Sequence, residues 1–417
     1  MARAVRVMHF ADTHFGVELY GRLDPDTGLN TRLKDFKRSL LKAVDLALEA
    51  KVDLAVFAGD AYKTRDPRQT DQREFADCIR RLTTNGVPVV MIAGNHDMPA
   101  VRGRANAVEI YHTLGVDNVY VLRKPESLLV ETRAGTVRVA AMPYLIKGYS
   151  IARDEFMNKT LDETRLLLEQ KYVDYIEMLA EEVRDANDTI PTILLGHFWA
   201  NGAKLSTWQE GYFTIGEPKV AVSSLTNPAF DYVALGHIHK HQDLNRDGQP
   251  HVVYSGSPDR IDFGEKDERK GFVLADVYKG GADYKFIPVD EGRALLEIEV
   301  DASGEDPTEQ ILTEVKRHSL RNNIVKLTYK IEQAKLPLVR EREIREALAP
   351  AFMVVSINRK VQRSGSERGR AFTESLNPRD ALSLYIDSNE KLKVRKEELI
   401  ACAEPLFAEL AAEETDW

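Results

Sequence analysis

The chain has 417 residues, too many for one ordinary core, so two or three domains are expected. Hydrophobic residues make up 43% and charged residues 29%, which excludes a disordered chain; the lack of any apolar run of about 18 residues or of a cleavage pattern after Met1 predicts a cytoplasmic protein with no membrane span. The formal net charge of -9 excludes holding nucleic acid by general basicity, but not holding a phosphate through cations bound at a carboxylate-lined site.

Residues 5–10 read as a strand. Over 34–50, Phe36, Leu40, Leu41, Val44 and Leu48 fall on one face and predict a helix, followed by a strand over 54–58. The unit repeats as a helix over 69–85, ending at Asn85-Gly86, and a strand over 87–92 with Pro88 near its start. Cys78, in that second helix, and Cys402 are far apart and form no CxxC pair, so packing is expected of both rather than a disulfide or zinc-thiolate site. Strands follow over 137–142, 192–195, 232–235 and 252–254, and a long charged crossover helix over 154–185 is expected to cover a largely buried sheet. From about Arg293 the pattern changes to a compact βαβαβ unit, with strands over 295–300, 323–331 and 352–361 and helices over 307–318 and 337–348. The expected organisation is a first domain over 1–290, a second over 291–362, a linker over 363–373 rich in glycine, serine and charge, and a helical tail over 374–417. In the tail, Asn377-Pro378 starts one helix, and Leu399, Ala403, Leu406 and Leu410 form a stripe on another.

Five apolar strands each end in a residue able to bind a metal: Asp12-Thr13-His14, Gly59-Asp60, Gly94-Asn95-His96-Asp97, Gly196-His197 and Gly236-His237-Ile238-His239. Loops at the carboxyl ends of strands in an α/β sheet form one crevice, so residues more than 200 positions apart can converge there. Imidazole with carboxylate and amide oxygen, without thiolate, suits manganese, iron, zinc or similar ions. Any one of these motifs is weak, since a lone Gly-His or Gly-Asp is an ordinary turn; agreement of all five is what points to a metal site.

The ordered series Asp-x-His, Gly-Asp, Gly-Asn-His-Asp, Gly-His and Gly-His-x-His resembles the calcineurin-like metallophosphoesterases. Together with His9-Phe10-Ala11-Asp12-Thr13-His14-Phe15-Gly16 near the start, the βαβαβ unit and the amphipathic tail, it resembles the SbcD branch, prokaryotic relatives of the meiotic-recombination double-strand-break nuclease. The resemblance implies an α/β (α+β) fold, a two-sheet core with a small DNA-binding capping domain and a helical tail. It implies one metal held by Asp12, His14 and His239, a second by Asn95, His197 and His237, and Asp60 bridging the two. It makes His96 the group that touches the phosphate and protonates the leaving oxygen, work that suits a side chain titrating near neutrality. Asp97 is read as orienting His96, as capping a helix opened by Pro99, or as both. The two ions are expected to be Mn2+ and the partners DNA, an SbcC-type coiled-coil ATPase docked on the tail, and a second copy through helices over 69–85 and 99–112.

Archaeal and eukaryotic relatives carry a further active-site histidine in the loop after Gly-Asp, where this chain has Lys63. Lys63 and Arg65 are either DNA-phosphate contacts or solvated loop residues. Arg22, Arg32, Lys34, Lys37 and Arg38 form one basic stretch, and Lys360, Arg363, Arg368 and Arg370 another, each able to track a duplex or simply to face solvent. Phe198, Trp199 and Trp208 either stack on an unpaired base or pack under their loop, and Gly256-Ser257-Pro258 is read as structural. The resulting expectation is the nuclease subunit of a DNA-repair complex, acting on duplex ends and single strands. Its rivals are a phosphoesterase for another ester and a catalytically silent scaffold for the ATPase.

Overall fold

The computed structural model describes residues 4–99, 103–146, 159–212, 216–362, 378–387 and 390–413. The strands are β1 (Val5–Phe10), β2 (Leu54–Phe57), β3 (Val89–Ile92), β4 (Val119–Leu122), β5 (Glu126–Thr132), β6 (Gly135–Met142) and β7 (Thr192–His197). There follow β8 (Trp199–Ala200), β9 (Lys219–Val220), β10 (Tyr232–Gly236), β11 (Gln242–Asp243), β12 (His251–Tyr254), β13 (Gly271–Tyr278), β14 (Gly281–Pro288), β15 (Leu295–Asp301), β16 (Ile324–Glu332) and β17 (Met353–Gln362). One sheet has the order β14-β13-β1-β2-β3-β4 and another β11-β12-β10-β7-β6-β5; β8 and β9 form a short ribbon.

Alternation along each strand decides what it faces. Val5 and Val7 of β1, Leu54 and Val56 of β2, and Val90 and Ile92 of β3 enter one apolar layer with Val139, Ile193, Leu195 and Ala234 of the second sheet, so the sheets stack face to face. The intervening residues Met8, Phe10, Ala55, Phe57, Val89 and Met91 point outward, onto the helices Thr31–Glu49 and Gln69–Thr84. On the far side Leu194, Val233 and Leu235 meet Leu168, Tyr172, Ile176 and Leu179 of the helix Leu161–Ala186. The two sheets therefore lie between helical layers, and each strand buried on both faces reads as an apolar run.

Local chemistry moves several predicted boundaries. The first helix starts at Thr31, because the Asn30 side chain accepts from the Arg32 amide at 2.8 Å. The next strand begins at Val89, since the Val87 amide still bonds back to Leu82 and Pro88 has no N–H. The long helix starts behind a capping box made by Thr160 and Glu163, and 147–158 lie outside the described residues.

The chain divides into two units, one comprising Met1–Glu297, Ser319–Lys326 and Pro350–Val355, the other Ile298–His318, Leu327–Ala349 and Ser356–Trp417. The division falls inside β15, later than the expected boundary at 290, because Leu295 and Ile324 pack with Phe263 of the first unit. In the second unit, Ile298, Val300, Leu327, Tyr329 and Ile331 are buried along with Ile311 and Val315 of the helix Pro307–Lys316 and Ile344 and Leu348 of Glu341–Leu348. Its tail contains the helices Pro378–Asp387, Glu390–Lys393 and Lys396–Glu413, tied by ion pairs Arg379–Glu404 and Lys396–Asp387. The predicted linker, including Arg363, Arg368 and Arg370, lies outside the described residues. Cys78 is buried as expected of a packing residue, whereas Cys402 is exposed on its helix.

Candidate metal centre

Within each sheet β1, β2 and β3, and β7 and β10, run parallel, so their carboxyl ends open at one edge of the core. There the backbone is forced into a conformation L-residues avoid: φ is +54° at Asp12, +43° at His14, +60° at Asp60 and +95° at His237. Such strain persists only where the surroundings over-determine it, and it clusters at functional sites. The loops brace one another, with the Asp12 amide bonded to the Gly59 carbonyl at 2.9 Å and the His14 amide to the Asp60 carbonyl at 3.1 Å. Gly59 has φ +90°, and a Cβ there would sit 2.5 Å from His197 Nδ1; a Cβ on Gly94 would collide with the Asp60 carboxylate.

The predicted ligand residues meet in two buried groups. Asp12, His14 and His239 bring one donor atom each within 4.8 Å of one another, and so do Asp60, His197 and His237. Asn95 joins the second, its Oδ1 lying 3.0 Å from His197 Nε2 and 2.9 Å from His237 Nδ1. Asp60 stands between them, with Oδ2 at 3.7 Å from His14 Nε2 and 3.5 Å from His197 Nε2, while its Oδ1 accepts from the His96 amide at 2.8 Å. His14 Nε2 and His239 Nε2 face each other at 3.0 Å, and buried His14 Nδ1 has no hydrogen-bond partner among the described residues. Imidazole nitrogens and acceptor oxygens aimed at shared points, with few protein donors to satisfy them, fit a pair of divalent cations.

The electrostatics agree. Burial disfavours a charged His197, yet the Asp60 and Asp12 carboxylates outweigh it and raise its pKa to about 9. Burial also opposes ionisation of Asp60, and His197, His96 and His14 overcome this to hold it well below the usual carboxylate range. Burial by contrast lowers the His14 pKa well below its ordinary value, so that ring is held neutral with a lone pair to offer, and an ionised Asp60 beside a neutral imidazole is the state a cation binds.

The imidazoles are gripped from behind. His197 Nδ1 bonds the Ala58 carbonyl at 2.6 Å, His239 Nδ1 the Glu265 carboxylate at 2.7 Å, and His96 Nδ1 the Lys63 carbonyl at 2.9 Å, while His237 Nε2 lies 3.4 Å from Glu217. Glu217 also accepts from the Tyr144 hydroxyl at 3.1 Å, and the Tyr144 ring centroid stands 6.0 Å from that of His237. Gln209 donates to the His237 carbonyl and accepts from the His239 amide. Gly256 and Ser257 serve the same segment, the Ser257 amide bonding the His239 carbonyl at 3.1 Å. Glu217, Glu265, Tyr144 and Gln209 carry no motif, and sequence reasoning missed them.

Other expectations are corrected. Asp97 makes no direct bond to the His96 ring: its carboxylate accepts from the amides of Asp60, Ala61, Tyr62 and Gly94, at 2.8 to 3.2 Å, and so shapes the loop that presents the Lys63 carbonyl to His96, while residues 95–98 form a turn and not a helix start. Arg32 cannot reach DNA, being fully buried, 3.4 Å from Asp35 and bonded to the Arg260 carbonyl. Lys34, Lys37 and Arg38 are engaged by Asp24, by Glu74 and Asp77, and by Asp35, and Lys360 by Glu299. Arg22 is exposed, with its guanidinium 4.6 Å from the centre of the Phe352 ring. Arg65 is exposed and Lys63 half-buried. Phe198 is buried against Tyr172, and Lys219 lies 4.2 Å over the Trp199 ring; the side chain of Trp208 lies outside the described residues. Among the described residues no helix is long and apolar enough to cross a membrane.

Known proteins are similar to this chain in sequence. The SbcD subunit of the nuclease SbcCD from Bacillus subtilis is 29% identical over 70% of this chain and 71% of its own length. The DNA double-strand break repair protein Mre11 of Thermoplasma acidophilum is 28% identical over 71% and 68%, and the SbcD subunit of the Escherichia coli K12 nuclease SbcCD is 24% identical over 82% and 86%. The SbcD resemblance carried by the N-terminal motif thus recurs among curated relatives. The calcineurin-like phosphoesterase family model matches residues 5–241, more than half of the chain and all five strand-end motifs, and the chain belongs to that family.

Proposed function

We propose that this chain is the metal-dependent nuclease subunit of a DNA-repair complex, hydrolysing phosphodiester bonds at duplex ends and in single strands. The observation that carries the reading is Asp60 standing between two donor groups in a chain whose relatives bear nuclease names. Asp12, His14 and His239 would hold one ion, Asn95, His197 and His237 the other, and Asp60 both. Two divalent cations, taken as Mn2+, supply Lewis acidity towards the phosphoryl group and a nucleophile from water.

The chain's own residues then handle the leaving group. The Lys63 carbonyl can only accept, so His96 Nδ1 carries a hydrogen and Nε2 is the nitrogen that gains and gives the working proton. As water attacks phosphorus and the bond to the sugar oxygen breaks, His96 Nε2 delivers that proton to the departing oxygen. Lys63 and Arg65, on the loop after Asp60, would contact the flanking phosphates.

We assign the 291–362 segment to DNA binding and the tail to an SbcC-type ATPase, a reading supported by the exposed Tyr385, Val394 and Leu406. A homodimer in the cytoplasm completes it, and the exposed Ile110, Leu114 and Val116 beside the helix Gln69–Thr84 favour pairing there.

The test incubates the purified protein and its Asp60→Ala and His96→Ala variants with end-labelled duplex DNA and with a small phosphodiester, with and without manganese. Manganese-dependent shortening of DNA by the unsubstituted protein alone is expected. Turnover of the small ester while DNA stays intact would refute the nuclease reading, and inactivity on both, with the ATPase partner present, would leave a scaffold.

A further inference from the structure

Of the rings gripped from behind, His239 has the most elaborate support. Its Nδ1 lies 2.7 Å from Glu265 Oε1, and Glu265 is wholly buried. The other oxygen of Glu265 accepts from the Ile261 amide at 2.9 Å and lies 3.0 Å from Lys270 Nζ. Lys270 is equally buried and donates to the His239 carbonyl at 3.1 Å and to Glu268 at 2.9 Å. One ion pair therefore holds His239 at both ends, ring and backbone. Glu265 reaches this position from a short 3-10 turn, Phe263–Glu265, which Asp262 caps by accepting from the Gly264 amide.

A buried charged pair is expensive to desolvate and is weak evidence for stability in itself, so its placement behind one imidazole calls for another account. A carboxylate paired with a lysine stays ionised and can only accept, which puts the hydrogen of His239 on Nδ1. The lone pair is then left on Nε2, the nitrogen that faces His14 Nε2 at 3.0 Å. A full negative charge bonded to the back of the ring also makes that lone pair a stronger donor than a neutral carbonyl would. His197 supplies the contrast, since its Nδ1 rests on the neutral Ala58 carbonyl.

We propose that Glu265, held by Lys270, is a positioning residue of the metal centre that selects the His239 tautomer and strengthens His239 as a ligand for the ion shared with Asp12 and His14. The inference rests on the metal-centre reading above. It concerns affinity for one of two ions, not the chemistry of hydrolysis.

The test titrates Mn2+ alone into the metal-free full-length protein, the Glu265→Gln variant and Asp60→Ala, by calorimetry and by the spin-coupled signal of a manganese pair. Glu265→Gln is expected to weaken one of the two binding events by about 10–100-fold and to leave the other unchanged, while the metal-free protein melts somewhat lower because buried Lys270 keeps only Glu268 as its anionic partner. Should the amide clash with Lys270 and prevent folding, the double substitution Glu265→Gln/Lys270→Gln, in which the two amides can pair, carries the same expectation. Binding of both ions at the unsubstituted affinity overturns the proposal. So does an equal loss of both, the pattern expected for Asp60→Ala, because Glu265 would then support the fold of the site rather than one ligand. A protein that binds no manganese before any substitution refutes the metal-centre reading itself.

Discussion

His9 offers a direct test of how the two sheets are joined beneath the site. Its Nε2 lies 3.1 Å from the Leu235 carbonyl and its Nδ1 3.1 Å from the Tyr232 hydroxyl, so a β1 side chain is clasped by β10 of the facing sheet. The carbonyl accepts from Nε2–H, and the neutral Nδ1 accepts from the tyrosine. Burial pushes the His9 pKa down from 6.5 to about 3, with the Leu235 carbonyl opposing and His241 assisting. Between those two values the unfolded chain binds the proton that the folded chain refuses, so stability rises with pH there and is lost as pH falls below 6.5. The loss accumulates to about 2 kcal/mol between about pH 7 and about pH 5. A His9→Gln variant lacks this term, though it suffers a pH-independent loss of fit. Urea unfolding of the metal-free proteins, in which ion binding adds no pH dependence of its own, should show the difference between the two narrowing by about that amount at the lower pH. A difference that stays constant across the range would show that His9 is protonated in the fold or reaches water.

Removing the Arg32 head by Arg32→Met takes one of three cationic partners from buried Asp35, Arg38 and Arg293 remaining, and should destabilise the protein by about 1–3 kcal/mol in urea melts, while leaving the salt dependence of DNA binding unchanged. Arg65→Ala should do the reverse, lowering the salt slope by about one with no change in melting. Gly59→Ala drives a methyl group towards His197 at a left-handed backbone position, and calorimetric Mn2+ titration should show weakened binding in a protein that still folds. Asp97→Ala leaves four buried amides without an acceptor, and a loss on the order of 3–5 kcal/mol in chemical unfolding is expected, against a small effect if water fills the space.

The seven candidate ligands were legible because each lies within four residues of an apolar strand end, and strand-end chemistry is a local pattern that topology then concentrates. Glu265 and Glu217 follow no such rule. Their contact with His239 and His237 depends on how a turn and a loop are folded back from elsewhere in the chain, and a carboxylate in such a segment looks like any solvated acid. Arg32 misled for a related reason: a basic residue near the start of an amphipathic helix with an acid three residues on reads as a solvent-facing pair, and only tertiary packing, with the distant Arg260 carbonyl on its guanidinium, buries it. In the fold, β1, β2 and β3 declared themselves as apolar runs buried on both faces. The edge strands Glu126–Thr132 and Gly281–Pro288 did not, since a partly exposed strand mixes polar and apolar residues without a clean period, whereas Gly271–Tyr278 is a buried apolar run that was missed all the same.

That distinction between local pattern and tertiary placement also bears on Lys63, which stands where the family resemblance leads to the expectation of a histidine. The residue approaches the site in two separable ways. Its side chain is half-buried on the loop after Asp60, whereas its carbonyl anchors His96 Nδ1. The carbonyl is presented by the loop backbone, which is fixed by the Asp97 carboxylate on the amides of Asp60, Ala61 and Tyr62 and by the Lys63 amide bonding the Phe15 carbonyl at 2.9 Å. None of those bonds depends on what side chain position 63 bears. The orientation of His96 therefore does not depend on the side chain at position 63, and a substitution there would change the rim of the site without releasing the His96 ring.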